Sequence, residues 1–274
     1  MTWLWHICFS LSRNSRTTDS RGAAKSAGFF FPLMPRRAAC ALICASCLLA
    51  EAPGGTVRGK VELEASRDSK VRRGKNNSGV VVWLEPLSGG LPELPASPRR
   101  AEMIQKSKKF IPHVLAVTAG TAVHFPNFDP IFHNAFSNFS GQIFDVGLYP
   151  PGTDRTVVFR REGMVRVFCN IHPTMSAIIA VLKTPYFSVS DRDGSFEIAG
   201  APPGEYRMRV FHERATAKTL ASLERNVTVS EEPLLLPLIS ISEVGYLQQP
   251  HKNKYGKEYS PVPDEHIVYP GVRK

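Results

Sequence analysis

Cysteine is scarce in this chain of 274 residues. There are five cysteines, and four of them lie in the first 52 residues: Cys8, Cys40, Cys44 and Cys47. Beyond that stretch only Cys169 remains, so the rest of the chain cannot form an internal disulfide. An unpaired thiol is a liability in an oxidising compartment unless something protects it, and metal ligation gives such protection.

The chain also lacks an apolar run long enough to span a bilayer comfortably. Residues 34–52 contain two arginines, an apolar stretch from Ala38 to Ala50 and a small-residue exit. This is the layout of a secretory signal peptide. We therefore expect residues 1–52 to be a leader, with the signal peptide at 34–52. The mature protein is expected to be exported to the periplasm or cell envelope, without a stable transmembrane span.

No basic stripe interleaved with aromatic residues is present. The formal net charge is +10, of which the leader carries +4 through six Lys/Arg against two acids. The remaining +6 is diffuse, which argues against a nucleic-acid partner.

Most apolar segments after the leader alternate with period two and are broken by Gly, Pro, Asn and Asp. This pattern predicts an all-β protein. A Gly- and Pro-rich stretch at 89–100 indicates a boundary near residue 99. The run Asp191-Arg192-Asp193-Gly194 lacks the later ligands of an EF-hand calcium loop, so it predicts a tight turn. Residues 248–274 have little periodic apolar content and are expected to be flexible or to lie over the surface.

The most informative residues are a thiol, two imidazoles and a thioether: His133, Cys169, His172 and Met175. Three of them share one short loop with the spacing Cys-x2-His-x2-Met, while His133 lies at the end of a predicted strand. A thiolate, two imidazoles and a weak thioether form the ligand set of a type-1 copper site. A structural zinc site needs four strong ligands, and no second pair of Cys or His ligands exists here. One copper ion is therefore predicted.

Without the upstream His133, the three loop residues have a simpler explanation than a metal site. A Cys near a His and a Met, taken alone, is more simply a small buried apolar side chain. The remaining histidines beyond the leader are most simply surface or packing residues: His113, His124, His212, His251 and His266.

Residues 110–182 resemble the cupredoxin family, and the ligand spacing resembles that of its amicyanin-like members. The resemblance is carried by Phe110-x-Pro112, Gly120-x2-Val123, Asn127, His133-Asn134, Gly163 and the loop 169–175. The chain is also similar to plastocyanin-like proteins described as methylamine-utilisation proteins. The resemblance implies a Greek-key β-sandwich over residues 99–183, with His133, Cys169, His172 and Met175 as copper ligands.

The same resemblance implies supporting roles around the metal. Asn134 would hold the two ligand-bearing segments in register through an amide hydrogen bond to the Cys169 loop. Pro173 would preorganise that loop by fixing its own backbone and extending His172. A dry apolar surrounding would come from Phe132, Phe136, Phe168 and Ile171.

A second resemblance covers residues 55–87 and 184–242, which look like the carboxypeptidase regulatory-like, transthyretin-type sandwich. It is carried by the Gly-x-Val-x-Gly-x-Val run of residues 55–61, by Asp193-Gly194-x-Phe196-x-Ile198 and by Pro202-Pro203-Gly204-x-Tyr206. It implies that the copper domain is inserted into, or packed beside, a second sandwich, followed by a tail at 243–274. An alternative assigns residues 79–84 to the copper domain as an early strand.

The leading functional hypothesis is an exported copper protein that carries single electrons between a redox donor and an acceptor and is not an enzyme. One alternative is a structural or carbohydrate-binding surface protein with a vestigial site, because a fold alone does not fix function. Another is copper delivery or storage. A copper oxidase or nitrite reductase needs a further catalytic centre, and the sequence has no second His-x-His constellation or duplicated copper domain.

Overall fold

The computed structural model describes residues 54–74, 76–90, 99–138, 141–246 and 251–259. The predicted leader at 1–52, with its four cysteines, and the end of the predicted tail lie outside the described residues. Within the described ranges most regular structure is strand, with two helices of six residues each. The prediction of an all-β protein is confirmed. In the same ranges, no helix is long and apolar enough to cross a membrane.

The described residues form eighteen strands and two helices. In chain order they are β1 (Gly55–Glu64), α1 (Ser69–Gly74), β2 (Val81–Pro86), β3 (Arg100–Glu102), β4 (Ile104–Gln105), β5 (Phe110–Ile111), β6 (Val114–Thr118), β7 (Thr121–His124), β8 (Phe136–Ser137), β9 (Phe144–Asp145), β10 (Thr156–Phe159), β11 (Gly163–Phe168), β12 (Ser176–Leu182), β13 (Phe187–Val189), β14 (Ser195–Ala201), β15 (Gly204–Phe211), α2 (Ala217–Ser222), β16 (Arg225–Val229), β17 (Leu234–Leu235) and β18 (Ile239–Ser242).

Two sheets built from both ends of the described chain enclose a first apolar core. One sheet has the order β14-β1-β17, with β18 also paired to β1, and the other has the order β13-β2-β15-β16. In β1, Val57, Val61 and Leu63 are buried, whereas Arg58 and Glu62 are exposed. The period-two alternation therefore directs one face of β1 into this core.

A tight turn supports this first core. The backbone N–H of Gly194 donates to the Asp191 carbonyl (3.1 Å), and the turn lies directly beside β1. Gly194 has φ +88°, and a Cβ atom there would lie 2.1 Å from the carbonyl oxygen of Val61. Only glycine fits this backbone and this approach. The turn predicted for residues 191–194 is confirmed.

The strands between β2 and β13 form the sheets around a second apolar core. One sheet has the order β6-β12-β11-β8-β9, and the other has the order β10-β7-β3. Strands β11 and β12 pair antiparallel, so the loop 169–175 connects neighbouring strands at one edge of this core. The core contains Cys169 and Met175 from that loop.

A third apolar cluster joins the two sets of sheets. It contains Val81 and Trp83 of β2 together with Ile178, Ala180 and Leu182 of β12. The other face of each of these two strands faces its own core, so both strands are buried on both sides. This explains why their sequences are continuously apolar instead of alternating. The domain bounds and the carboxypeptidase regulatory-like family assignment stay predictions.

Candidate metal centre

Pairing between two strands brings the predicted ligands together. Phe168 at the end of β11 pairs with Phe136 in β8. Cys169 follows Phe168 directly, and His133 lies three residues before Phe136. The backbone of His133 is fixed in turn by hydrogen bonds in both directions with Tyr149 (3.2 and 2.9 Å). The sheet therefore places the upstream histidine beside the cysteine.

The loop 169–175 is closed by its own backbone. The N–H of Cys169 donates to the carbonyl of Met175 (3.1 Å), and the N–H of Met175 donates to the carbonyl of His172 (3.1 Å). These two bonds hold the three predicted loop ligands on one compact turn. Pro173 lies exposed within the turn. Its predicted role in preorganising the loop stays a prediction.

Three ligand atoms converge. The Cys169 sulfur lies 3.4 Å from Nδ1 of His172 and 3.8 Å from Nδ1 of His133, and the three ligand atoms all lie within 4.8 Å of one another. Histidine nitrogen and cysteine sulfur ligands lie about 2.0–2.3 Å from a bound transition-metal ion such as zinc. Ligands that share one ion in a trigonal plane are therefore about 3.5–4 Å apart, which fits this spacing.

The centre is dry. Cys169 and His133 are fully buried, Met175 is 1% exposed and His172 is 5% exposed. Met175 belongs to the same apolar core as Cys169. A soft thiolate, two imidazoles and a thioether in an apolar surrounding suit copper better than a hard cation. The residues present therefore fit a copper ion.

Burial shifts the pKa values of two of these residues, Cys169 and His133. Burial raises the pKa of the Cys169 thiol, although the backbone N–H groups of Ile171, Asn134 and His172 act in the opposite direction. A cation in the centre would be needed to hold Cys169 as a thiolate. Burial lowers the pKa of His133 against the opposing effect of Asp129, which favours the neutral imidazole that a metal ligand requires.

Asp129 orients His133 and was not found from the sequence. Its Oδ2 accepts a hydrogen bond from Nε2 of His133 (2.8 Å), which leaves Nδ1 of that ring facing the Cys169 sulfur. A carboxylate on the outer nitrogen of a ligating histidine fixes its tautomer and increases its donor strength. The available signal was a turn-forming Asn-x-Asp-Pro run that ends three residues before the histidine.

The carboxylate of Asp129 is itself held by backbone donors. The N–H groups of Ser107 (2.6 Å) and Lys108 (2.8 Å) donate to it. Both residues have φ of 53°, a left-handed conformation that is costly for non-glycine residues. Burial alone would raise the pKa of Asp129, but the hydrogen bonds from Lys108, His133 and Ser107 outweigh it and lower the pKa. Asp129 is therefore a charged, fixed support.

Asn134 differs from the expectation. Its side-chain amide donates to Oδ1 of Asp145 in β9 (2.7 Å), not to the Cys169 loop. Asp145 pairs with Phe136 across β8 and β9, and this pairing brings the carboxylate within reach of the amide. The contact with the cysteine comes from the backbone N–H of Asn134 instead.

The other histidines have partners elsewhere. His113 pairs with Glu213 (2.8 Å), His124 with Asp154 (2.9 Å) and the buried His212 with Glu243 (3.1 Å). None of these three belongs to the metal cluster of the described residues. His266 lies outside the described part of the chain. His251 is different because its ring stacks on Phe168, directly beside Cys169.

The segment 251–259 therefore lies against the ligand loop. This segment is the described part of residues 248–274, for which the sequence predicts flexibility or a position over the surface. Its contacts join residues more than 80 positions apart, and no local sequence pattern indicates them.

Comparison with known proteins gives partial structural matches. No protein-family model matches the chain, and no curated protein matches it. A purple cupredoxin from Nitrosopumilus maritimus is 24% identical over 30% of this chain and 99% of its own, with a TM-score of 0.28. The Cu-containing nitrite reductase NirK from Thermus scotoductus is 26% identical over 36% of this chain and 25% of its own (TM-score 0.29). Amicyanin from Paracoccus versutus is 18% identical over 36% and 97%, respectively (TM-score 0.29). These scores are low, so the interpretation of the centre depends on its own geometry.

Proposed function

We propose that this chain is a type-1 copper protein that carries single electrons between redox partners. The observation that supports this most directly is the buried group of His133, Cys169, His172 and Met175, in which one sulfur and two imidazole nitrogens lie within 4.8 Å. Copper bound there would supply one-electron chemistry between its Cu(I) and Cu(II) states.

The side chains have distinct tasks in this proposal. Four side chains would hold the ion: Cys169 would supply a thiolate, His133 and His172 would supply imidazole nitrogens, and Met175 would supply a weakly bound thioether. The two backbone bonds that close the loop and the Asp129 support of His133 restrain the ligands. A centre that moves little between its two oxidation states suits electron transfer.

The same features support a carrier over an enzyme. A catalytic metal keeps an open coordination position for its substrate. In the proposed set four side chains fill the coordination positions, and all four are buried among the described residues. Copper delivery is supported less well, because transfer of the ion to an acceptor requires ligand exchange, which complete burial slows.

Export belongs to the proposal on the basis of the sequence. The signal-like segment at 34–52 supports a periplasmic or cell-envelope location, where an oxidising environment makes protection of a lone thiol useful. The partners are an electron donor and an electron acceptor in the same compartment.

Redox cycling of the copper-loaded protein tests this function. Reduction with ascorbate and reoxidation with ferricyanide should transfer one electron per chain through repeated cycles, with the copper retained. Loss of copper to a chelator upon reduction would indicate delivery or storage instead. Sustained turnover of nitrite or oxygen would indicate an enzyme.

A matched pair of variants sharpens this test. Met175→Leu should shift the reduction potential while one-electron cycling persists, because the weak thioether that Met175 would supply tunes the potential of bound copper. Met164→Leu is the control, since Met164 lies in β11 and packs against the cluster between the two cores. It should leave the potential unchanged. Equal behaviour of the two variants would contradict the role of Met175.

A further inference from the structure

The segment 251–259 makes two hydrogen bonds to the start of the ligand loop. The hydroxyl of Tyr259 donates to the carbonyl oxygen of Cys169 (2.8 Å). The backbone N–H of Lys254 donates to Oδ1 of Asn170 (2.9 Å). Two consecutive loop residues, one of them the proposed thiolate ligand, are thus held from outside the second core.

Aromatic contacts extend this attachment. The ring of His251 stacks on Phe168, with centroids 4.3 Å apart and planes inclined by 27°. Phe168 packs in turn against Phe136. The hydroxyl of Tyr259 also lies 3.1 Å from Nδ1 of His251, so the two aromatic residues of the segment contact each other over the loop.

The segment also reaches the strand connection that carries the upstream histidine. The ammonium group of Lys254 binds Oδ2 of Asp145 (2.7 Å). The other oxygen of that carboxylate accepts the amide of Asn134, the neighbour of His133. Both ligand-bearing parts of the protein are therefore joined to one short segment.

The segment has a defined conformation of its own. Oδ1 of Asn253 accepts hydrogen bonds from the N–H groups of Tyr255 and Lys257 (3.0 Å each). Gly256, with φ +73°, donates to the carbonyl of Asn253 (2.9 Å). Because the Asn253 side chain closes this turn, the groups that contact the ligand loop are already held in position.

We propose that residues 251–259 are a built-in cover of the metal centre, in which Tyr259 is a positioning residue for Cys169. The cover holds the ligand loop from outside and restricts the access of solutes to the cysteine sulfur. The part of this proposal that concerns copper rests on the proposed function, whereas the shielding of the thiol does not.

Alkylation of Cys169 in the metal-free full chain tests the shielding. N-ethylmaleimide is added, and modification is quantified over time on the Cys169 peptide by mass spectrometry. A chain that ends at Tyr246 should react at least about tenfold faster, because the reactive state no longer requires local opening of the cover. Tyr259→Phe should react about fivefold faster, the equivalent of one neutral hydrogen bond.

Matched variants separate the cover from general effects. Tyr255→Phe is the control for Tyr259→Phe, because Tyr255 belongs to the same segment but is 71% exposed. Lys252→Met is the control for Lys254→Met, since the Lys252 side chain is 58% exposed and pairs only with Glu258 among the described residues. Both controls should react at the rate of the unchanged chain, and Lys254→Met should react faster.

A second readout uses copper. Extraction of Cu(I) by bathocuproine disulfonate should accelerate in the shortened chain and in Tyr259→Phe, and the visible spectrum of Tyr259→Phe should shift because the Cys169 backbone is less restrained.

Equal alkylation rates in the full chain and a folded shortened chain would overturn the cover. If the shortened chain does not fold, equal rates for Tyr259→Phe and Tyr255→Phe would overturn it. Failure of the unchanged chain to bind copper would refute the proposed function, while the alkylation rates would still decide on the cover.

Discussion

Replacement of Asp129 by asparagine should weaken copper binding without removing a ligand. In the native protein the carboxylate accepts Nε2–H of His133 and the N–H groups of Ser107 and Lys108, at 2.6–2.8 Å. Asparagine keeps one acceptor oxygen but places an NH2 group toward at least one of these donors. Loss of such a support typically reduces metal affinity about 10–100-fold, which corresponds to about 1.4–2.8 kcal/mol.

The same replacement should affect the metal-free protein and the potential. A buried N–H group that loses its acceptor costs about 1–3 kcal/mol, so the free energy of unfolding should fall by about that amount in urea titrations. The reduction potential should rise, because a less basic His133 donates less density to Cu(II). Competition with a chromophoric Cu(I) chelator measures the affinity, and voltammetry measures the potential.

Asp154→Asn is the matched control for this prediction. Asp154 makes the same kind of contacts, to Nδ1 of His124 (2.9 Å) and to the N–H of Phe125 (3.0 Å), but His124 lies outside the metal cluster. This variant should leave the copper affinity and the potential unchanged. An Asp129→Asn protein with native affinity and native potential would refute the orienting role of Asp129.

Two further predictions concern stability. Hydrogen bonding to Glu213 raises the pKa of the half-exposed His113 ring against partial desolvation, so this group stabilises the fold fully below its unfolded pKa of about 6.5. That stabilisation is lost as the pH rises through the folded pKa. Both His113→Gln and Glu213→Gln should therefore flatten this part of the stability–pH profile. An unchanged slope in either variant would contradict the pairing of His113 with Glu213. Gly200→Ala should cost about 1–2 kcal/mol because its φ is +74° in open space, whereas Gly194→Ala should cost clearly more because of its contact with Val61. Equal losses in urea titrations would contradict the close approach at Gly194.

The strands and the candidate ligand loop were predictable because both depend on local patterns. Period-two alternation identifies a strand such as β1, and Cys-x2-His-x2-Met places three candidate ligands on one loop. The joining of the two cores was not predictable in the same way. A continuous apolar run such as residues 177–182 shows that both faces of a strand are buried, but it does not show what covers the second face.

The surroundings of the centre were predicted less well, because they depend on long-range geometry. Asp129 is set by backbone donors at Ser107 and Lys108, more than 20 residues away. Asn134 follows the β8–β9 pairing instead of the loop. Tyr259 reaches Cys169 across 90 positions. A polar side chain has many possible partners, and only the folded backbone selects among them.

The visible absorption and electron paramagnetic resonance spectra of the copper-loaded protein test the central claim most directly. The unchanged chain should bind one copper and show an intense thiolate-to-copper charge-transfer band with the resonance of a type-1 centre, and Cys169→Ser should lose both. Absence of the band from the unchanged, copper-loaded protein, or its persistence in Cys169→Ser, would contradict a copper centre built on Cys169.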